Sequence, residues 1–234
     1  MMQNGFFIPA GVHLLLKVGF FLLKSVRYQM AECFLSRAHE MLKQRETEYP
    51  QESVIALYFL ALLEHEQGRC VEAEVLYQQA LVIHSDQNLE EDRYLAFILV
   101  SLARLWIEQG RLAPAEMQIR RAYKISEQLS GTYHPDTAIC LSILASWYYH
   151  QERYGEAEAS LQHALRLFEY TLGAKHSRVI ANWALLSMIY FAQHRSKEAE
   201  TLLRRALQQY VQEIGSDYPD VASMFGMLAR ILCS

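Results

Sequence analysis

Proline and glycine are scarce, at five and ten of 234 residues. A chain this poor in turn formers does not suit many short strands, because each strand end needs a turn. Cysteine is scarce too. Cys33, Cys70, Cys140 and Cys233 stand far apart, and no two have the C-x-x-C spacing. That argues against a zinc site and against a disulfide-stapled secreted scaffold. It points to free thiols in a reducing cytoplasm. A basic excess is also missing. The formal net charge is -4, whereas a nucleic-acid surface needs lysine and arginine gathered on one face. No nucleic-acid partner is expected.

Catalytic signatures are equally thin. The chain has no glycine-rich phosphate loop and no serine in a nucleophile elbow. Glu64-His65-Glu66 lacks the H-E-x-x-H spacing that sets two histidines on one helical face, so it reads as a solvated or groove-edge cluster. His134 and His176 fall at matching phase in connectors and read as turn chemistry. Arg120-Arg121 and Arg204-Arg205 have glutamates one turn away, the pattern of solvated helix faces. No catalytic residue, metal ligand or cofactor site is assigned, and the chain reads as a non-enzyme.

What is abundant is repetition. Hydrophobic residues make up 52% of the chain, and they recur with a period of 42. One column holds Leu60, Leu102, Leu144, Leu186 and Leu228, and the next holds Ala61, Ala103, Ala145, Ser187 and Ala229. Gln67, Gln109, Gln151 and Gln193 form a third. Ala31, Ala73, Ala115, Ala157 and Ala199 are each followed by glutamate, and Ala38, Ala80, Ala122, Ala164 and Ala206 complete the set. A fixed period in this range marks stacked repeats, each burying its apolar face on its neighbours.

After a lead over 1–10, one array is expected over 11–234. Its units are about 11–48, 53–88, 93–130, 136–172 and 178–214, followed by a terminal helix over 221–233. Within a unit, two helices with three-and-four apolar spacing flank a tight turn. Gly68-Arg69, Gly110-Arg111, Glu152-Arg153 and His194-Arg195 are the turns. Gly131, Gly173 and Gly215 stop the second helices, and Asp136 or Asp220 can cap the next first helix. Small residues fall where two helices cross, because only they let backbones approach to packing distance. The stretch 5–23 has two readings. It is apolar over about the length of a membrane span, although Lys17 would cost roughly 3 kcal/mol at a bilayer centre. The 42-residue register instead makes it the first helix of unit one.

The pattern L-A-x-x-Y-x-x-Q-x-R-Y-x-E-A-E-x-x-L-x-x-A-L, from Leu144 to Leu165, resembles the tetratricopeptide repeat. The 42-residue period and the connector Leu129-Ser130-Gly131-Thr132-Tyr133-His134-Pro135 resemble the longer variety found in kinesin light chain. The resemblance implies an all-α solenoid of about five antiparallel helix pairs plus a C-terminal single helix, wound as a right-handed superhelix. It further implies that first helices line a concave groove for a partner segment. By register that groove takes Ile55, Tyr58, Leu62, His65, Phe97, Val100, Arg104, Ile107, Ile139, Ser142, Ser146, Tyr149, His150, Met188 and Phe191. Its lining is apolar and aromatic, and Asn182 is the sole asparagine nearby, so an asparagine-lined carboxylate clamp is not expected. An amphipathic helix or an apolar extended segment suits such a lining.

Two functional classes follow. One is a protein-interaction scaffold or adaptor that holds a peptide or helix in the groove. The other is the sensor or regulatory part of a larger signalling protein that clamps an effector domain. The ends carry a further expectation. On the last helix Phe225, Leu228 and Leu232 are read as inward, which leaves Met224, Met227 and Ile231 bare. With the first helix apolar nearly all round, either further repeats or a domain cover the ends, or the chain self-associates through its terminal helices.

Overall fold

The computed structural model describes the backbone of residues 7–213 and 219–232, and the side chains of 11–212 and 224–232. Among the described residues eleven helices occur and no strand. They are α1 (Phe7–Lys24), α2 (Tyr28–Lys43), α3 (Pro50–Glu66), α4 (Cys70–Asp86), α5 (Arg93–Glu108) and α6 (Leu112–Ser130), then α7 (Pro135–His150), α8 (Tyr154–Leu172), α9 (Ser177–Ala192), α10 (Ser196–Glu213) and α11 (Pro219–Leu232). The fold is an all-α repeat solenoid. No described helix is long and apolar enough to cross a membrane. Gly215, the side chain of Asp220, Cys233 and residues 1–6 lie outside the described residues.

The chain forms two compact units, Met1–Leu105 and Trp106–Ser234. In the first, α1 packs on α2 and α3, and α3 packs on α4. In the second, each of α6 to α10 packs on its successor, and α9 also touches α7 and α11.

The turn inside each helix pair is one motif used five times. Val26, Gly68, Gly110, Glu152 and His194 all have positive φ, between 59° and 78°. The next residue is always arginine. Its backbone N–H donates to the carbonyl five positions back: Arg27 to Leu22, Arg69 to Glu64, Arg111 to Trp106, Arg153 to Tyr148 and Arg195 to Tyr190. This is the six-to-one bond of a Schellman motif, which needs a left-handed residue just past the helix end. Glycine supplies that conformation without strain in two repeats.

The connectors between pairs are capped differently from the sequence reading. Asp136 does not cap α7; it lies within the first turn of that helix, buried. The cap is His134, whose Nδ1 accepts from the Asp136 N–H at 3.1 Å. His176 Nδ1 accepts from the Arg178 N–H at 3.2 Å at the start of α9. Asp92 occupies the same column one repeat earlier and accepts from the Leu95 N–H at 2.8 Å through Oδ1. A column of acceptors therefore starts three successive first helices, satisfying N–H groups that have no intrahelical partner.

The small-residue columns are the tightest parts of the core. Ala31, Ala73, Ala115, Ala157 and Ala199 have no exposed surface, and the same holds for Ala38, Ala80, Ala122, Ala164 and Ala206. Between them on each second helix sits one large side chain, Leu35, Tyr77, Ile119, Leu161 or Leu203, each fully buried. Gly19 takes the Ala61 position in the first pair. A Cβ there would come within 2.5 Å of Leu35 Cδ2, so the missing methyl makes room for that leucine.

The last helix corrects the assignment of its faces. Met224, Leu228 and Ile231 are buried, Met227 is half-buried, and Phe225 and Leu232 are each 54% exposed. The register gives the reason. Met224 falls in the column of Ala56, Ile98, Cys140 and Asn182, all of them buried, and it joins the buried cluster of the second unit. Phe225 and Ala229 fall in the columns of Leu57 and Ala61, and among the described residues no second helix follows to stand against them. Ala229 is exposed, unlike Ala61, Ala103 and Ala145.

Candidate functional site

Each unit carries its own set of first-helix side chains. In the first unit the residues come from α3 and from the Arg93–Leu105 part of α5. Ile55, Phe97 and Arg104 are half-buried, whereas Tyr58, Leu62, His65 and Val100 are at most 8% exposed. Buried and half-buried positions form one aromatic cluster. Tyr58 stacks on Phe97 with ring centroids 6.2 Å apart, and Tyr94 meets both edge-on at 6.4 Å. Phe59 joins it to α1 by stacking on Phe20 at 4.8 Å. Such contacts hold α1, α3 and α5 beside one another and leave Ile55, Phe97 and Arg104 as the half-buried members of this set. The Arg93 guanidinium lies 5.2 Å from the Phe97 ring centroid, a cation–π arrangement at the edge of that cluster.

Polar chemistry here centres on Arg104. Its Nη2 donates to Glu66 Oε1 at 3.2 Å and lies 3.4 Å from His65 Nδ1. Glu64, two residues before Glu66, turns instead to Arg69 at the end of its helix. The Glu-His-Glu triplet is thus divided between two arginines, and its carboxylates do not converge.

In the second unit the residues come from α7 and α9, with Ile107 at the end of α5. Ile107 is buried at 3% exposure. Ile139, Ser142, Ser146, Tyr149, Met188 and Phe191 are half-buried, and His150 is exposed. Tyr149 packs against the rings of His150 and Tyr154, at centroid distances of 5.5 and 5.7 Å. Burial pushes its hydroxyl pKa up, with Tyr154 adding to the rise and Arg230 opposing it, so the group is neutral at physiological pH. Ser142 Oγ lies 2.7 Å from Asn182 Oδ1, and Asn182 Nδ2 donates to the Arg178 carbonyl at 2.6 Å. Asn182 is 8% exposed. It ties α9 to α7, with its side-chain oxygen and nitrogen both hydrogen-bonded. The face is therefore apolar, with Ser146 and His150 as its polar points.

The sequence reading missed the polar latches at the turns. Arg111, Arg153 and Arg195 lay their guanidinium groups over Trp106, Tyr148 and Tyr190, at 5.1, 4.5 and 4.0 Å from the ring centroids. The signal was present, since arginine recurs every 42 residues at 27, 69, 111, 153 and 195, and an aromatic precedes it by five in three repeats. Among the described side chains, those of the two first-helix sets do not bring a nucleophile together with a base.

Comparison with known proteins agrees with the geometry. A tetratricopeptide repeat model matches residues 52–128 and 94–169, and a second tetratricopeptide repeat model matches 184–220. No curated protein matches the sequence. Among solved structures, BtubC (BKLC) from P. vanneervenii superposes with a TM-score of 0.71 at 21% identity, covering 89% of this chain and 83% of that one. A putative kinesin light chain repeat protein from Podosopora anserina superposes with a TM-score of 0.65 at 19% identity, covering 91% and 98%. A Rap protein complexed with Competence and Sporulation Factor gives 0.72 at 17% identity, covering 95% of this chain and 65% of the other. At these identities the likeness is one of fold.

Proposed function

The chain belongs to the tetratricopeptide repeat family, and from that premise we propose that it holds an apolar or amphipathic segment of a partner protein against its first helices. It acts as a cytoplasmic adaptor without chemistry of its own and without a cofactor. The observation that carries this reading is the second-unit face. Ile139, Tyr149, Met188 and Phe191 keep apolar surface accessible on α7 and α9, where a monomer gains nothing by leaving it wet. Half-buried aromatics of this kind make good anchors, because they bury large area at low entropic cost. The first-unit set supports the same role through Ile55, Phe97 and Arg104. Tyr58, Leu62, His65, Val100 and Ile107 act beneath the surface by fixing the helices that present it.

The experiment has two steps. A photo-crosslinking amino acid at Ser146, introduced in the native cell, identifies the partner segment. That segment, made as a synthetic peptide, is then titrated against the wild-type chain and against Tyr149→Ala with Phe191→Ala. Affinity should fall at least about tenfold, a change of roughly 1.4 kcal/mol, with the helical signal intact. Unchanged affinity in the double variant would remove the site.

A further inference from the structure

We propose a second docking surface, on the outward face of α4, that takes a basic amphipathic helix of another protein. The face that α4 turns inward is made by Ala73, Tyr77 and Ala80, each fully buried. On the opposite side Val71 is 71% exposed, Val75 47% and Val82 56%. β-branched aliphatics are poor choices for a solvated helix surface, both in propensity and in hydration. The other repeats supply the internal control. Where α4 has Val71 they have Gln29, Ala113, Gly155 and Lys197. Where it has Val82 they have Glu40, Lys124, Arg166 and Gln208. Where it has Val75 they have Cys33, Met117, Ala159 and Thr201, and Met117 is 65% exposed; only α4 carries valine at all three outward positions.

Its spacing names the occupant. Val71, Val75, Gln78 and Val82 follow one another at four, three and four residues, the a/d seam of a heptad. A strict two-in-seven stripe is narrower than the face a helix buries in a globular core, and it matches a single partner helix. One polar residue in such a seam, here Gln78, sets register at some cost in stability. The positions flanking the seam are Glu72, Glu74, Gln79 and Leu81, and Glu32 of α2 borders the same surface. A shallow depression of about 510 Å³ lies there, lined by Glu32, Glu64, Arg69, Val71, Glu72, Val75, Leu76 and Gln79. It holds three carboxylates and one guanidinium, and that guanidinium is engaged by Glu64. The flank is therefore acidic, and the partner carries lysine or arginine beside its seam. A second copy of this chain matches the flank poorly, because two α4 helices would set Glu74 against Gln79 in parallel order, and Glu72 against Gln79 and Glu74 against Leu81 in antiparallel order, leaving neither glutamate a cation.

The test uses the full chain and a fluorescent three-heptad peptide with leucine at a and d and lysine at e and g. A matched peptide carries glutamate at e and g. The lysine peptide should bind and the glutamate peptide should not. Val75→Asn with Val82→Asn should weaken binding at least about tenfold, while Tyr149→Ala with Phe191→Ala leaves it unchanged, which separates this surface from the first-helix face. Glu32→Lys with Glu72→Lys should exchange the preference between the two peptides, a readout that loss of folding would not produce. Equal binding of both peptides would overturn the proposal. So would a lysine peptide indifferent to the valine changes, or a self-association dissolved by them.

Discussion

Arg195 joins its own repeat to the one before it: its Nη1 donates to Glu158 Oε2 at 3.0 Å across 37 residues of sequence. Gln193 Nε2 reaches the same oxygen at 3.0 Å. Glu198 holds the other edge of the guanidinium, 2.7 Å from Nη2, and the Tyr190 ring lies 4.0 Å beneath. Glu198, then Glu158, push the arginine pKa upward. The group is planar, forked and stacked at once, which a lysine ammonium cannot reproduce. Arg195→Ala should lower Tm by a few degrees, and Arg195→Lys should recover only part of it. A double-mutant cycle with Glu158→Gln should give a coupling clearly different from zero in thermal melts. Strict additivity would mean that the latch does not link the repeats.

The left-handed turn position separates two kinds of repeat. Gly68 and Gly110 adopt it freely, whereas Val26, Glu152 and His194 adopt it with a side chain. For a residue with a Cβ the conformation costs roughly 1–2 kcal/mol, and a β-branched residue there is an outlier. Glycine loses more unfolded-state entropy, which offsets about 0.5–1 kcal/mol of the gain. Val26→Gly should therefore stabilise the chain by up to about 1 kcal/mol, and Glu152→Gly by less. The reverse change, Gly68→Val, meets no steric clash and should cost up to about 1 kcal/mol. Chemical denaturation at fixed m-value measures all three. A Val26→Gly variant less stable than wild type would show that the valine is held by contacts outweighing its strain.

The alanine columns predict a sharp contrast on one helix. Ala157 has no exposed surface, while Ala159, two residues on, is exposed. Ala157→Leu forces a larger group into a crossing already closed and should cost about 1–3 kcal/mol. Ala159→Leu should stay within about 0.5 kcal/mol of wild type. Comparable losses at both positions would indicate that leucine is disfavoured on this helix in general, and the close-crossing account of the column would go.

How much of this could be read from the chain depended on whether the deciding contact repeats. The columns at Leu60, Ala61, Ala73 and Ala80 and the turns at Gly68 and Gly110 recur because each pair solves one packing problem, so the period exposed them. Features that break the period were hidden. The apolar character of Phe225 predicts an inward side chain, yet its column faces a second helix, and no described helix follows α11. The caps were assigned to aspartate by propensity, but His134 and His176 stand at the position whose backbone is extended (ψ 148° and 140°), and a neutral imidazole accepts as well as a carboxylate there. In the first-helix set, Tyr58, Leu62 and Val100 are indistinguishable in sequence from Ile55 and Phe97. Only the aromatic packing onto α1 and α5 shows which of them go under the surface.

The cap at His176 makes stability depend on pH in a defined direction. Its Nδ1 accepts from the Arg178 N–H, which only an unprotonated nitrogen can do. Burial, with Arg178 adding to it, holds its pKa below the ordinary histidine value of 6.5. The folded chain therefore binds a proton less readily than the unfolded one. The stabilisation from this group is complete above about pH 6.5, declines as pH falls through the lowered folded value, and is absent below it. His39 has the same sign, through burial and then Lys43, so the wild-type Tm should be flat above neutrality and fall on mild acidification. His176→Asn keeps an acceptor oxygen at every pH. It should hold most of the cap, worth about 0.5–2 kcal/mol, and flatten the acid limb, leaving the His39 contribution. His39→Gln made in the same background should reduce the slope between about pH 5 and 7 further. A His176→Asn profile superimposable on wild type would show that the imidazole is not the acceptor that starts α9.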